Sequence, residues 1–205
     1  MEKEHNINEA ALAYMEQKYG EEFEYVSPWG SSGANKGTVQ MLVKCTTFTD
    51  EILVEVNFIE SKRIFSDNYV AIKYKSETNR LLQSSLDNFF VKSFGLCNIS
   101  MKTLSPNLSA DATFEEYCSD TDSSISATIV IPNSIFEELS VEKFAKKFAD
   151  SRMGATIRLL AVEDNIYDSL AADNIENVIT QESYQYLAVL IIYDGNVQIN
   201  PREVK

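Results

Sequence analysis

Residues able to perform chemistry are sparse in this 205-residue chain, and their spacing serves few reactions. The single histidine, His5, stands in the charged opening Met-Glu-Lys-Glu-His, where a frayed terminus is expected. A serine triad, a Cys-His pair, a His-rich zinc site and a histidine proton shuttle would each depend on that one residue. The three cysteines, Cys45, Cys97 and Cys118, are far apart and form no Cys-x-x-Cys. An odd number cannot close into a complete disulfide framework. Cys45 falls in an alternating strand pattern and reads as a small buried hydrophobe.

Three further patterns stop short of a site. Gly30-Ser31-Ser32-Gly33-Ala34-Asn35-Lys36-Gly37-Thr38 has the composition of a phosphate-binding loop. That loop needs Lys directly after its second glycine and a following helix, so that backbone N–H groups face the phosphates. Here Lys precedes the glycine and a strand is expected to follow. Asp120-Thr121-Asp122-Ser123-Ser124 begins like a calcium loop, but Ile125 replaces the sixth-position glycine and Ile131 the twelfth-position glutamate. The carboxylates of Glu115, Glu116, Asp120, Asp122, Glu163 and Asp164 could work in pairs as general acid and base, although the sequence selects no two of them at glycosidase separation. No cofactor and no metal is expected.

Charge narrows the partners. Lys plus Arg number 18 against 31 Asp plus Glu, a formal net charge of −13. Residues 1–102 hold 11 basic and 14 acidic side chains, and residues 103–205 hold 7 and 17. Nucleic acid and anionic membrane surfaces are therefore disfavoured, and an electrostatic partner would be cationic. No window approaches the roughly 18 apolar residues of a membrane helix, so direct membrane insertion is not expected. The N-terminus also lacks the apolar run of a secretory leader.

The elements that must position these residues follow from periodicity. Asn8 is a candidate cap for a helix whose Ala11, Leu12, Met15 and Tyr19 form one stripe, stopped by Gly20. A short strand at Phe23, Tyr25 and Val26 leads to the loop 27–37, which carries three of the seven glycines and the only tryptophan, Trp29. Val39, Met41, Val43 and Cys45, then Ile52, Val54, Val56 and Phe58, alternate with mainly polar residues across a turn near Thr49-Asp50, which predicts a β-hairpin. Residues 70–92 turn to helical period and residues 96–101 to strand. Residues 103–124 are polar loop with a helical turn or two at 113–117. Ser126 to Ile131 is a strand. Ser140 is expected to cap a helix that ends at Gly154, residues 156–162 form a strand, and residues 165–180 are polar and partly helical. Residues 187–192 are apolar on both sides and predict a central strand, followed by a turn at Asp194-Gly195 and a last strand.

The run Ala11 to Val26, with Trp29-Gly30 and Asp67-Asn68-Tyr69-Val70-Ala71-Ile72-Lys73-Tyr74, resembles a group of uncharacterised proteins from Gram-positive gut bacteria, as does Asp111-Ala112-Thr113-Phe114-Glu115-Glu116-Tyr117. The resemblance implies a helix, a strand, a hairpin and a second helix introduced by Asp-Asn-Tyr. It also implies a secreted or lipoprotein-like character, hence an extracytoplasmic location if a leader has been removed and a cytoplasmic one otherwise. It brings no catalytic residues.

Together these readings predict an α+β fold with antiparallel or mixed sheets built on hairpins and about three principal helices on the sheet faces. An N-terminal lobe at 1–102, an acidic connection at 103–124 and a C-terminal lobe at 125–205 are expected, with one continuous domain as the alternative. Elimination favours a non-catalytic binding or interaction module for a protein or cell-surface component. The alternatives are a carboxylate-dependent hydrolase of an extracellular polymer and an acidic inhibitor or immunity-type protein for a basic partner. Contact is expected at Trp29, with Asn35 and Lys36 in the same loop, and at the acidic positions Asp120 and Asp122.

Overall fold

The computed structural model describes residues 2–29, 37–60, 62–98, 105–122, 124–171, 174–175 and 184–202, with the side chains of 2–6, 98, 139 and 202 outside the description. The fold is α+β. The chain divides into two compact units, one of Met1–Tyr74 with Ile99–Ser123 and the other of Lys75–Asn98 with Ser124–Lys205. Residues 75–98, grouped by sequence with the first lobe, thus belong to the second unit, while the supposed connection builds part of the first.

In the first unit, α1 (Glu2–Tyr19) precedes a four-stranded meander of β1 (Glu24–Pro28), β2 (Thr38–Lys44), β3 (Ile52–Ile59) and β4 (Lys62–Asp67), antiparallel throughout and in sequence order. The helix starts earlier than the Asn8 cap predicts, which takes His5 into its first turns. It stops where expected, with Gly20 at φ 72° and its N–H on the Glu16 carbonyl. Ala11 and Met15, one turn apart, are fully buried, and Tyr14 stacks on Phe65 of β4 with ring centroids 4.8 Å apart. That fixes the helix-covered face of the sheet as Val39, Met41, Val43, Ile52, Val54, Val56, Phe65 and Asp67, which the register places in line. Cys45 lies just past β2 and is only half-buried, because the strand ends at Lys44 before the alternation reaches it.

The predicted helix at 70–92 is two helices, α2 (Tyr69–Lys73) and α3 (Lys75–Asp87), and the units part at the break between them. Tyr74 there gives its hydroxyl to the Ala112 carbonyl at 2.7 Å, and Lys73 bonds the Ala110 carbonyl at 2.8 Å. These contacts hold the segment 105–122 on the first unit. Its helix α4 (Phe114–Ser119) begins with a capping box in which Thr113 and Glu116 satisfy each other's backbone N–H.

The second unit carries a mixed sheet ordered β5 (Phe94–Asn98), β6 (Ile125–Pro132), β7 (Ala155–Val162), β8 (Tyr184–Tyr193) and β9 (Asn196–Arg202). Only β6 and β7 are parallel. They are joined through α5 (Glu138–Ala149), which begins at the Glu137 cap, leaving Ser140 inside its first turn, and ends before Gly154. One face packs on α3 and α5 through Leu82, Leu86, Phe144 and Phe148, all fully buried. On the other, Val130, Leu160, Val162 and Ile175 form a core closed by Phe94, Leu96, Leu187 and the segment that includes α6 (Asp164–Tyr167). The doubly buried strands are therefore β6 and β7. Expectation and structure differ at β8: it is interior, but Ala188, Leu190 and Ile192 are buried while Ile191 is 39% exposed. On that face Leu187 packs on the core, and among the described residues no later residue of β8 joins it. The β8–β9 turn is as predicted, with Asp194 and Gly195 both at positive φ, 49° and 71°.

Gly95 is required by this packing. A Cβ there would stand 2.8 Å from Leu86 Cδ1 and 3.0 Å from Leu82 Cδ2, inside two buried side chains. Gly95→Ala is expected to lower stability by about 1–3 kcal/mol through overpacking. A fall in the urea midpoint at unchanged slope measures it.

Candidate functional site

Trp29 follows β1 directly, its N–H donating to the Gln40 carbonyl at 2.9 Å, so the pairing with β2 runs one residue past the strand. Pro28 pairs with Met41 on the helix-covered face, and alternation therefore sets Trp29 on the outer face beside Gln40. Its side chain is not a core element: the residue is 44% exposed. Asn35 and Lys36, the other expected contacts in that loop, lie outside the described residues.

A polar ladder that alternation alone does not reveal continues from Trp29 across the outer face. Gln40 stands opposite Glu55, and Thr38 opposite Asn57. Gln40 Nε2 donates to Glu55 Oε2 at 2.6 Å and Asn57 Nδ2 to Glu55 Oε1 at 2.7 Å, while Thr38 Oγ1 donates to Asn57 Oδ1 at 2.7 Å. Both carboxylate oxygens of Glu55 are thus held by amides from two strands. The face closes at Leu53 and Ser66, both buried, and opens toward Trp29 and Ile64, the latter 43% exposed.

On the opposite face a groove of about 310 Å³ runs between α1 and the edge of the sheet, lined by Ile7, Asn8, Tyr25, Pro28, Val39, Gln40 and Met41. Its helical wall is fixed by Asp67, whose carboxylate is 1% exposed. Tyr14 and Tyr19 donate to it at 2.9 and 2.6 Å, Lys18 at 2.7 Å and the Tyr69 backbone N–H at 3.0 Å. Burial first, and then the Asp67 charge and hydrogen bonds, push the Tyr14 and Tyr19 hydroxyls far above the usual tyrosine range, so both remain donors. Tyr19 stacks on Tyr69 at 3.8 Å, and Tyr69 in turn donates to Glu21 at 2.6 Å. Burial alone would raise the Glu21 carboxyl, but hydrogen bonds from Thr47 and Tyr69 outweigh it and hold the group below its ordinary value. The shielding of Asp67 makes this network a clasp for α1 and not a place for substrate.

The acidic positions are separate from Trp29. Asp120 caps the C-terminal end of α4 and turns Oδ2 inward, where it has no hydrogen-bond partner among the described residues, while the exposed Asp122 accepts from Asn107 Nδ2. No hydrogen bond or ion pair among the described residues joins either to Trp29. The thiols are not poised for attack: burial raises Cys97 to about 12, burial and then Glu115 raise Cys118 to about 11, and burial raises Cys45. Among the described residues no group of three or more His, Cys, Asp or Glu could hold a metal ion, and no helix is long and apolar enough to cross a membrane. No protein-family model matches the chain, and comparison with curated proteins and with solved structures finds no significant similarity.

Proposed function

We propose that the protein is a non-catalytic binding module that works outside the cell and meets a protein or cell-surface component through the Trp29 end of its four-stranded sheet. The observation that carries this reading is the 44% exposure of the only tryptophan, at the open end of a strand whose neighbours are paired. An exposed indole combines a large apolar surface with little conformational entropy to lose, which is why tryptophan is enriched among interface anchors. The extracytoplasmic setting rests on the resemblance of residues 11–26 and 67–74 to secreted and lipoprotein-like chains.

As the only indole, Trp29 reports on itself. Its emission is expected to lie at the wavelength of a hydrated indole and to be quenched by acrylamide. Trp29→Ala is expected to cost far less than the roughly 3–5 kcal/mol of a buried aromatic while reducing sedimentation of the labelled protein with whole Gram-positive cells at least tenfold. A shielded indole, or cell binding untouched by the substitution, would overturn the reading.

A further inference from the structure

We propose that Trp29, Gln40, Glu55 and Asn57 form a platform for a neutral oligosaccharide, with Glu55 accepting hydrogen bonds from a vicinal diol and Trp29 stacking against the apolar C–H face of an adjoining sugar ring. The inference rests on the binding reading above and names its ligand class. Trp29 directly after β1, Gln40 on β2 and Glu55 on β3 are cross-strand neighbours, so the row from the indole to the carboxylate spans roughly 10 Å at the usual strand spacing. That is about the length of two pyranose units.

The hydrogen-bonding capacity left on the row fits hydroxyls. An ionised carboxylate offers about four acceptor positions, and each Glu55 oxygen already takes one amide N–H, from Gln40 or from Asn57. Among the described residues each oxygen keeps an acceptor position free, and two adjacent sugar O–H groups can donate to the pair in parallel. Gln40 Nε2 and Asn57 Nδ2 each have a second N–H for a ring or hydroxyl oxygen, and the side-chain oxygen Oε1 of Gln40 can accept from another hydroxyl. The amides also fix the carboxylate plane before any ligand arrives, which lowers the ordering cost of binding. Charge selects among glycans. A carboxylate at the end of the row opposite Trp29 and a formal charge of −13 on the chain disfavour polyanionic polymers. A peptide offers no vicinal diol to match the paired oxygens.

The test is a titration of the intact protein with cellotetraose, laminaritetraose, mannotetraose and xylotetraose, followed by Trp29 emission and by calorimetry. At least one is expected to shift or quench the emission with saturation. Glu55→Gln, which removes one of the two acceptor oxygens with little change in shape, is expected to weaken that binding at least tenfold at an unchanged melting temperature. Gln40→Ala, which frees the carboxylate plane, is expected to weaken it as well. No response to any of the four sugars, with Trp29-dependent cell binding retained, overturns the glycan assignment and leaves the binding module standing. Absence of both cell binding and sugar binding in the intact protein overturns both. Sugar binding that survives both Glu55→Gln and Gln40→Ala places the ligand elsewhere and overturns the platform, and saturable binding of hyaluronan in preference to the neutral sugars overturns the charge assignment.

Discussion

Asp67→Ala is expected to destabilise the first unit by about 3–5 kcal/mol, the cost of breaking a buried ion pair from one side. Lys18 is 14% exposed at its side chain and Asp67 1%, and the two approach to 2.7 Å. Removing the carboxylate strands the Lys18 ammonium against the rings of Tyr14 and Tyr19, at 5.2 and 5.1 Å from their centroids, and takes the acceptor from both hydroxyls. Urea unfolding followed by Trp29 emission reads the change in the unit that carries it, since Trp29 and Asp67 both belong to that unit. The double variant Lys18→Met, Asp67→Ala is expected to recover part of the loss, because no unpaired charge remains. A loss below about 1 kcal/mol for the single variant would show that the cluster does not hold α1.

The parts of the fold legible in the sequence are those in which one face is apolar and one is wet. β2 and β3 alternate, α5 carries Val141, Phe144, Ala145 and Phe148 on one stripe, and Asp194-Gly195 supplies the positive φ that its turn demands. β4 gave no such signal: Lys62-Arg63-Ile64-Phe65-Ser66-Asp67 has two apolar residues in six, as suits a charged edge strand. The break at Tyr74 was hidden because helical periodicity continues through it, and what opens it is tertiary, the hydrogen bond from Tyr74 to Ala112. Local pattern likewise overstated β8, whose apolar run reads the same whether or not a covering segment reaches its far side.

Legibility of the site follows the same division. Trp29 was visible as the only indole in a glycine-rich loop. The ladder beside it was not, although Gln40, Glu55 and Asn57 were recognised as the polar positions of alternating strands. Their meeting depends on register, and the seven residues from Cys45 to Glu51 that connect β2 and β3 do not fix which residue faces which. A turn centred on Thr49-Asp50 would pair Gln40 with Ile59. The actual register pairs it with Glu55 and so assembles the two amides around one carboxylate. In the sequence Asp67 stands out only as part of Asp-Asn-Tyr, since nothing local marks an aspartate that will accept from a helix about fifty residues earlier.

In the second unit the corresponding large effect is apolar. Phe144 is fully buried in α5, with ring centroids 6.4 Å from Phe90 and 6.0 Å from Phe148. Phe144→Ala is expected to cost about 3–5 kcal/mol, from the lost transfer energy of the ring and the cavity left among side chains that can close only partly around it. Phe144→Leu keeps much of the volume and is expected to cost distinctly less. Far-UV circular dichroism during urea unfolding follows the sheets and helices of both units, this tryptophan-free one included, while Trp29 emission reports the other unit alone in the same sample. If the units unfold independently, Phe144→Ala moves only the first of these signals. If both midpoints fall together, the three chain crossings at 74/75, 98/99 and 123/124 couple the units into one cooperative transition. A shift in neither signal would mean that Phe144 does not fill the core beneath α5.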